Sequence, residues 1–183
     1  ALMDIATGAT GRMRGGPAKA AVVGSTLMGM VSGTAVANVL TTGTISIPLM
    51  IRSGYRRHVA GAVEAVASTG GQLMPPVMGA AAFIMAETTG ISYLEIALAA
   101  LIPALVYYVV LLSVVHFEAL KHDLKALPAD ETPSVLGTFK SSSHLLLGIP
   151  TLIFMLSQGY SVMYASFWAI LVAFAAAFVR RAT

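Results

Sequence analysis

No cysteine occurs among the 183 residues, which excludes disulfides, thiolate metal sites and a cysteine nucleophile. Charge is almost as scarce. Asp, Glu, Lys and Arg together make up 10% of the chain and hydrophobic residues 57%, against about 25% charged residues in ordinary globular proteins. With a mean hydropathy of +0.82, this balance excludes a typical soluble domain and predicts an integral membrane protein, which the helical spans traced below make all-α. Acids are fewer than bases, 8 against 11, and the isoelectric point is near 9.4. The bases sit in short clusters between apolar segments, as in cytoplasmic membrane loops, so the expected partner is a lipid bilayer and not nucleic acid. The chain opens at Ala1 and reaches the polar run Thr7-Gly8-Ala9-Thr10-Gly11-Arg12 with no basic-then-apolar signal segment, which gives the expectation of an internal piece of a longer polypeptide.

The uncharged stretch of residues 20–51 is 32 residues long. One spanning helix needs about 20 residues and two with a turn over 40, so this length suits a re-entrant helical hairpin. Its centre, Ser32-Gly33-Thr34-Ala35-Val36-Ala37-Asn38, is small and polar where a lipid-facing helix would carry Leu and Ile. Irregular backbone at that depth survives only inside protein or beside a wet cavity, and in transporters it marks substrate or ion sites. Gly15-Gly16-Pro17 starts the first arm, near residues 17–31, and the second runs over 35–51. Arg12, Arg14 and Lys19 flank one side and Arg52, Arg56 and Arg57 the other, which places both ends in the cytoplasm. A single long tilted helix would separate these clusters and leave the polar break in lipid.

Residues 59–86 then cross outward through Gly70-Gly71-Gln72-Leu73-Met74-Pro75-Pro76, where paired glycines and prolines remove helix propensity and backbone donors. Two half-helices around an unwound middle are expected, with the carbonyls near residues 71 and 72 left free as ligands. The acidic loop 87–95 lies outside, residues 96–115 return, and the loop 116–140 is cytoplasmic. Two shorter runs, 143–156 and 161–179, end the chain. The resulting organisation is an entry segment and hairpin (1–58), a broken helix plus its successor (59–115), a cytoplasmic loop (116–140) and two further spans (141–183).

An ion such as Na⁺ wants converging oxygens in a dry pocket, and an unwound helix offers carbonyls while its ends add dipoles. Ser32, Thr34, Asn38, Ser68, Thr69 and Gln72 add hydroxyl or amide oxygens. Glu64 is a candidate proton-coupling carboxylate, although pairing with Arg56, Arg57 or His58 at the interface is the plainer reading. Gly24, Gly29, Gly43 and Gly79 are read as packing positions, and Tyr107, Tyr108, Tyr160, Tyr164 and Trp168 as interfacial anchors. His58, His116, His122 and His144 fall at cytoplasmic edges without metal-site spacing. Serines at mid-depth and histidines at the edge do not make a hydrolase, since a serine nucleophile needs a base within hydrogen-bond reach. No enzyme activity is expected. An ion channel, or a hairpin transporter independent of a binding protein, is the rival.

Three runs carry a resemblance: Gly11-Arg12-Met13-Arg14-Gly15-Gly16-Pro17-Ala18-Lys19, then Ser32-Gly33-Thr34-Ala35-Val36-Ala37-Asn38-Val39, then the segment 64–79 around Ser68-Thr69-Gly70-Gly71-Gln72-Leu73-Met74-Pro75-Pro76. They resemble the large membrane permease subunit of TRAP (tripartite ATP-independent periplasmic) transporters over at least residues 7–128, with wording closest to the TAXI branch, in which the two membrane subunits are often fused. The resemblance implies one half of an inverted-repeat, elevator-type secondary transporter in a bacterial or archaeal inner membrane. It implies import of small organic acids, such as C4-dicarboxylates, by symport with a cation. The implied partners are an extracytoplasmic solute-binding protein, a small membrane subunit or fused domain, and the remaining half of the permease. No cofactor is implied beyond the coupling ion. The family's hairpin-tip motif falls on Ser32, Gly33, Thr34, Ala35 and Asn38, and its broken-helix motif on Ser68, Thr69, Gly70, Gly71, Gln72, Pro75 and Pro76. Many relatives of the better-studied branch carry Asp where Asn38 stands and have a second motif with less Gln, which leaves the coupling ion open between Na⁺ and H⁺.

Overall fold

The computed structural model of the chain describes residues 2–128, 132–135, 137–138 and 148–181, and all regular structure within them is helical. Among the described residues the main helices run in order: α1 (Leu2–Thr10), α2 (Gly16–Ser32), α3 (Ala35–Arg52), α4 (Arg57–Gly70), α5 (Ala80–Thr89), α6 (Tyr93–Lys121), α7 (Gly148–Ser157) and α8 (Val162–Arg181). Of these, α3 and α6 are long and apolar enough to cross a membrane by length and composition.

The helices α2 and α3 form an antiparallel hairpin. Its tip is Gly33 and Thr34. Gly33 takes φ +64, a left-handed conformation open to glycine, and its N–H caps α2 by donating to the Gly29 carbonyl at 3.0 Å. Thr34 is extended and reverses the chain into α3. At the other end the Tyr55 hydroxyl donates to the Gly15 carbonyl at 3.4 Å, so the chain returns to where it entered. Burial, followed by the nearby Glu118 carboxylate, pushes the Tyr55 phenol up to about 12, and it stays a neutral donor there. The uncharged parts of the two arms rise about 20 to 25 Å, short of the ~30 Å hydrocarbon core. Two helices with a tight turn replace the single tilted helix.

Basic residues gather at the base of this hairpin. Arg14 pairs with Asp123 just beyond α6, and the Lys19 ammonium donates to His116 Nδ1 at 3.0 Å. The start of α2, the start of α4 and the end of α6 therefore share one end of the bundle, as the charge pattern predicts. Several boundaries differ from the sequence reading. Helix α5 runs to Thr89 and α6 from Tyr93 to Lys121, so the expected loop 87–95 shrinks to residues 90–92 and His116 lies in a helix, and residues 2–10 form a helix packed on α2. Gly24 opens the notch for α1, since a Cβ there would lie 2.2 Å from the Met3 sulfur. The expectations for His144, for parts of the loop 116–140 and for the start of the 143–156 run lie outside the described residues.

Alanine dominates the main core, where Ala18, Ala21, Ala60, Ala67, Ala104 and Ala119 let α2, α4 and α6 close tightly. A second cluster joins α5 and the start of α6 to α7 and α8 through Ala82, Ile96, Leu152, Leu156 and Ala165. The outward side of α6 is an apolar stripe including Leu98, Ile102, Val106, Val109 and Val114.

Candidate functional site

The helix predicted to break does break. Helix α4 stops at Gly70, residues 71–79 are irregular, and α5 starts at Ala80. The Pro75–Pro76 peptide is cis. The hairpin tip sits directly on this segment. Val77 N–H donates to the Met30 carbonyl at 3.3 Å, and Gly29 lies against Gly71 so closely that a Cβ on Gly29 would stand 2.5 Å from the Gly71 Cα. A Cβ on Gly33 would stand 2.3 Å from the Met78 carbonyl oxygen. These glycines bring backbone to backbone where any side chain would separate the two elements.

Polar atoms collect at this junction. The Ser32 hydroxyl is buried and has no hydrogen-bond partner among the described residues. A Cβ on Gly79 would lie 3.3 Å from both the Gln72 amide oxygen and the Gly33 carbonyl oxygen, so two oxygens from the two motifs approach one point. Gly70 is buried beneath Tyr107 and Tyr108, Gly71 beneath Gly29, and Ala35, Pro75 and Pro76 are half-buried around the junction. Thr34 and Thr69 are exposed, and the Thr69 hydroxyl turns back onto the Ala65 carbonyl at 2.8 Å.

The carbonyls of residues 71 and 72 are not free. Gln72 O accepts from Gly79 N–H at 2.9 Å, and Gly71 O from Met74 N–H at 3.4 Å, because the irregular segment curls back on itself. Tyrosines of α6 reach other carbonyls of the broken helix. Tyr107 donates to Val66 O at 2.8 Å, Tyr108 to Ala67 O at 2.9 Å, and Tyr93 to Pro76 O at 3.0 Å. Tyr108 is buried, so it props the broken helix instead of anchoring at an interface. Tyr160, Tyr164 and Trp168 are exposed. Removing the prop in Tyr108→Phe orphans the buried Ala67 carbonyl. The expected loss is about 1–2 kcal/mol, read as a lowered Tm of the full protein in detergent.

Asn38 and Ser68 belong to a buried polar cluster just below the tip, with Asn38 Nδ2 3.1 Å from where a Cβ on Gly29 would stand. Asn38 Nδ2 donates to the Ser25 carbonyl at 2.7 Å, stitching α3 to α2. Glu64 is at the centre, fully buried. Its Oε1 accepts from the hydroxyls of Ser25 at 2.7 Å, Ser68 at 3.1 Å and Thr42, and its Oε2 accepts from Ser46. Arg56, Arg57 and His58 are exposed at the start of α4, and Glu64 faces away from solvent toward α2 and α3, so the interfacial pairing does not occur. The sequence reading missed Ser25, Thr42 and Ser46. The signal was present in the spacing, since Asn38, Thr42 and Ser46 recur every four residues on one helix face, as do Glu64 and Ser68. Gly43 makes room for the carboxylate stem, because a Cβ there would lie 3.2 Å from Glu64 Cγ.

The whole chain, residues 1–183, matches the family described as tripartite ATP-independent periplasmic transporter, DctM component. It is similar to the C4-dicarboxylate TRAP transporter large permease protein DctM of Pseudomonas aeruginosa, with 32% identity over 98% of this chain and 42% of that protein. The protein of the same name from Vibrio cholerae is 28% identical over 80% of this chain and 32% of that protein. The ectoine/5-hydroxyectoine TRAP transporter large permease protein UehC of Ruegeria pomeroyi is 28% identical over 69% of this chain and 29% of that protein. The chain thus spans about two fifths or less of the length of these relatives.

Proposed function

Since the chain belongs to the DctM component family of tripartite ATP-independent periplasmic transporters, we propose that it forms one half of the membrane permease of a cation-driven importer of small organic acids. It is a transport component and not an enzyme. The observation that carries the reading is the contact between the hairpin tip and the break in the next helix. Packing alone would be served by two continuous helices, whereas here Gly33 O and the Gln72 amide oxygen approach one point where both helices are interrupted, and the buried Ser32 hydroxyl at the end of α2 is without a partner among the described residues. Ser32, Gly33, Thr34, Ala35, Gly70, Gly71, Gln72, Pro75 and Pro76 line the proposed cation and substrate site, while Asn38 and Ser68 support it from below. Helix ends at the tip favour a substrate carboxylate at their N–H side and a cation at their carbonyl side.

A length near two fifths of the relatives fits one member of an inverted repeat, with the opposing hairpin in the remainder. A soluble binding protein that delivers the solute, a small membrane subunit fused to the permease as in the TAXI branch that the motifs resemble, and an inner-membrane location with the hairpin base in the cytoplasm complete the proposal. Its test is solute uptake by the full parent transporter in proteoliposomes, with the binding protein outside. Saturable uptake that needs the binding protein and follows an imposed Na⁺ or pH gradient is the expected result. Gradient-independent, non-saturating flux would establish the channel instead.

A further inference from the structure

A carboxylate buried between membrane helices with no cation beside it is costly unless it holds a proton or is richly hydrogen-bonded. Around Glu64 the neighbouring elements bring no charged group among the described residues. Helix α2 presents Ser25, with Lys19 almost two turns below it at the hairpin base. Helix α3 presents Thr42 and Ser46, with Arg52 at its far end, and α4 adds Ser68. The titratable groups of α6 on this side are the Tyr107 and Tyr108 phenols, both committed to α4 carbonyls.

We propose that Glu64, caged by the hydroxyls of Ser25, Thr42, Ser46 and Ser68, is the group that binds and releases the coupling proton, and that it holds both hairpin arms to the broken helix while doing so. This rests on the transporter reading above. Hydroxyls donate and accept, so one set of heavy-atom positions serves both states of the acid. Ionised, the carboxylate accepts from all four. Protonated on Oε2, it donates to Ser46 Oγ, and Thr42 turns its hydrogen to the Asn38 carbonyl, 2.8 Å away. The step is the reversible loss of one proton from the carboxyl group to water, with no other bond made or broken. A proton suits this cage better than a metal ion, because hydroxyls at hydrogen-bond distance already occupy the positions around both carboxylate oxygens.

The location explains how such a proton would be felt by the solute site. Ser25 belongs to one arm, Thr42 and Ser46 to the other, and Glu64 to the helix that breaks six residues later. Asn38 bonds to the backbone of Ser25, and one turn above Ser25 lies Gly29, in contact with Gly71 of the break. The hydroxyl residues are positioning residues, and the proton resides on Glu64.

The test uses the full parent transporter, first by infrared difference spectroscopy between acid and alkaline pH. The wild type is expected to show a protonated-carboxyl band that disappears on alkalinisation and is missing in Glu64→Gln. In Ser46→Ala the band remains but moves, because one hydrogen bond is gone. In proteoliposomes with the binding protein outside, Glu64→Gln is expected to keep solute exchange without a gradient and to lose uptake driven by a pH gradient. A band unchanged in Glu64→Gln, or pH-gradient-driven uptake that survives it, overturns the proposal, as does wild-type uptake driven by Na⁺ and indifferent to pH. If Glu64→Gln does not insert, Ser46→Ala decides, and an unmoved band with unaltered pH response overturns the proposal. Absence of binding-protein-dependent uptake in the wild type refutes the transporter reading, while the infrared band still reports on Glu64.

Discussion

Gly29→Leu is expected to unseat the hairpin from the broken helix and destabilise the full transporter by about 3 kcal/mol, near the upper end of overpacking costs. A Cβ at this position already meets the Gly71 Cα at 2.5 Å and the Asn38 amide nitrogen at 3.1 Å. The obstacle is backbone, so no rotamer change relieves it. The helices must separate, and the Val77 N–H to Met30 O bond, already 3.3 Å, breaks with them. Thermal unfolding in detergent reads the loss, and uptake should fall with it because the tip oxygens no longer meet the break. Gly61→Ala is the control. Gly61 lies inside α4 with nothing within 4 Å of its would-be Cβ, so alanine should stabilise by up to about 1 kcal/mol through helix propensity alone. A Gly29→Leu protein that unfolds at the wild-type temperature would show that the hairpin does not rest on Gly71.

The contrast between these glycines shows what the sequence could and could not reveal. Interruptions were legible because Gly33 and the run Gly70 to Pro76 change local backbone preference, which acts at short range and needs no knowledge of neighbours. The hairpin was legible because basic clusters flank 32 uncharged residues, too few for two spans. What each interruption touches was not legible. Gly29 and Gly61 look alike in a sequence, and only the tertiary arrangement sets one on backbone and the other in open space. Carbonyl satisfaction misled for the same reason. Residues 71 and 72 lose helical partners to the prolines, yet the segment folds back and Gly79 N–H supplies the Gln72 carbonyl. Tyrosines of α6 were read as interfacial because aromatic rings at span ends usually are, but Tyr108 lies where the unwinding leaves the Ala67 carbonyl unserved. Glu64 was placed at an interface by its closeness in sequence to Arg56 and Arg57. Two turns of helix carry it to the opposite end of that charge, among hydroxyls whose four-residue spacing becomes informative only once the three helices are known to face one another.

The second large effect is expected at Asn38, where substitution by Asp should be worse than substitution by Ala. Asn38 is fully buried, and its Nδ2 donates to the Ser25 carbonyl at 2.7 Å while its Oδ1 lies 3.4 Å from the Thr42 hydroxyl. Alanine removes one neutral hydrogen bond and leaves a small void. An ionised Asp sets an acceptor against the Ser25 carbonyl and brings a second carboxylate to a hydroxyl that Glu64 already uses. The cost at neutral pH should be about 2–4 kcal/mol, since a buried acceptor then has no donor and the charge no counter-ion. The contact between α3 and α2 at this point therefore depends on the amide. A double-mutant cycle isolates the electrostatic part. In Asn38→Asp combined with Glu64→Gln the like charge is gone, and about 1–2 kcal/mol of the Asn38→Asp loss should return, measured as the shift in Tm relative to the two single variants. Strict additivity of the two losses would mean that the two side chains do not share Thr42.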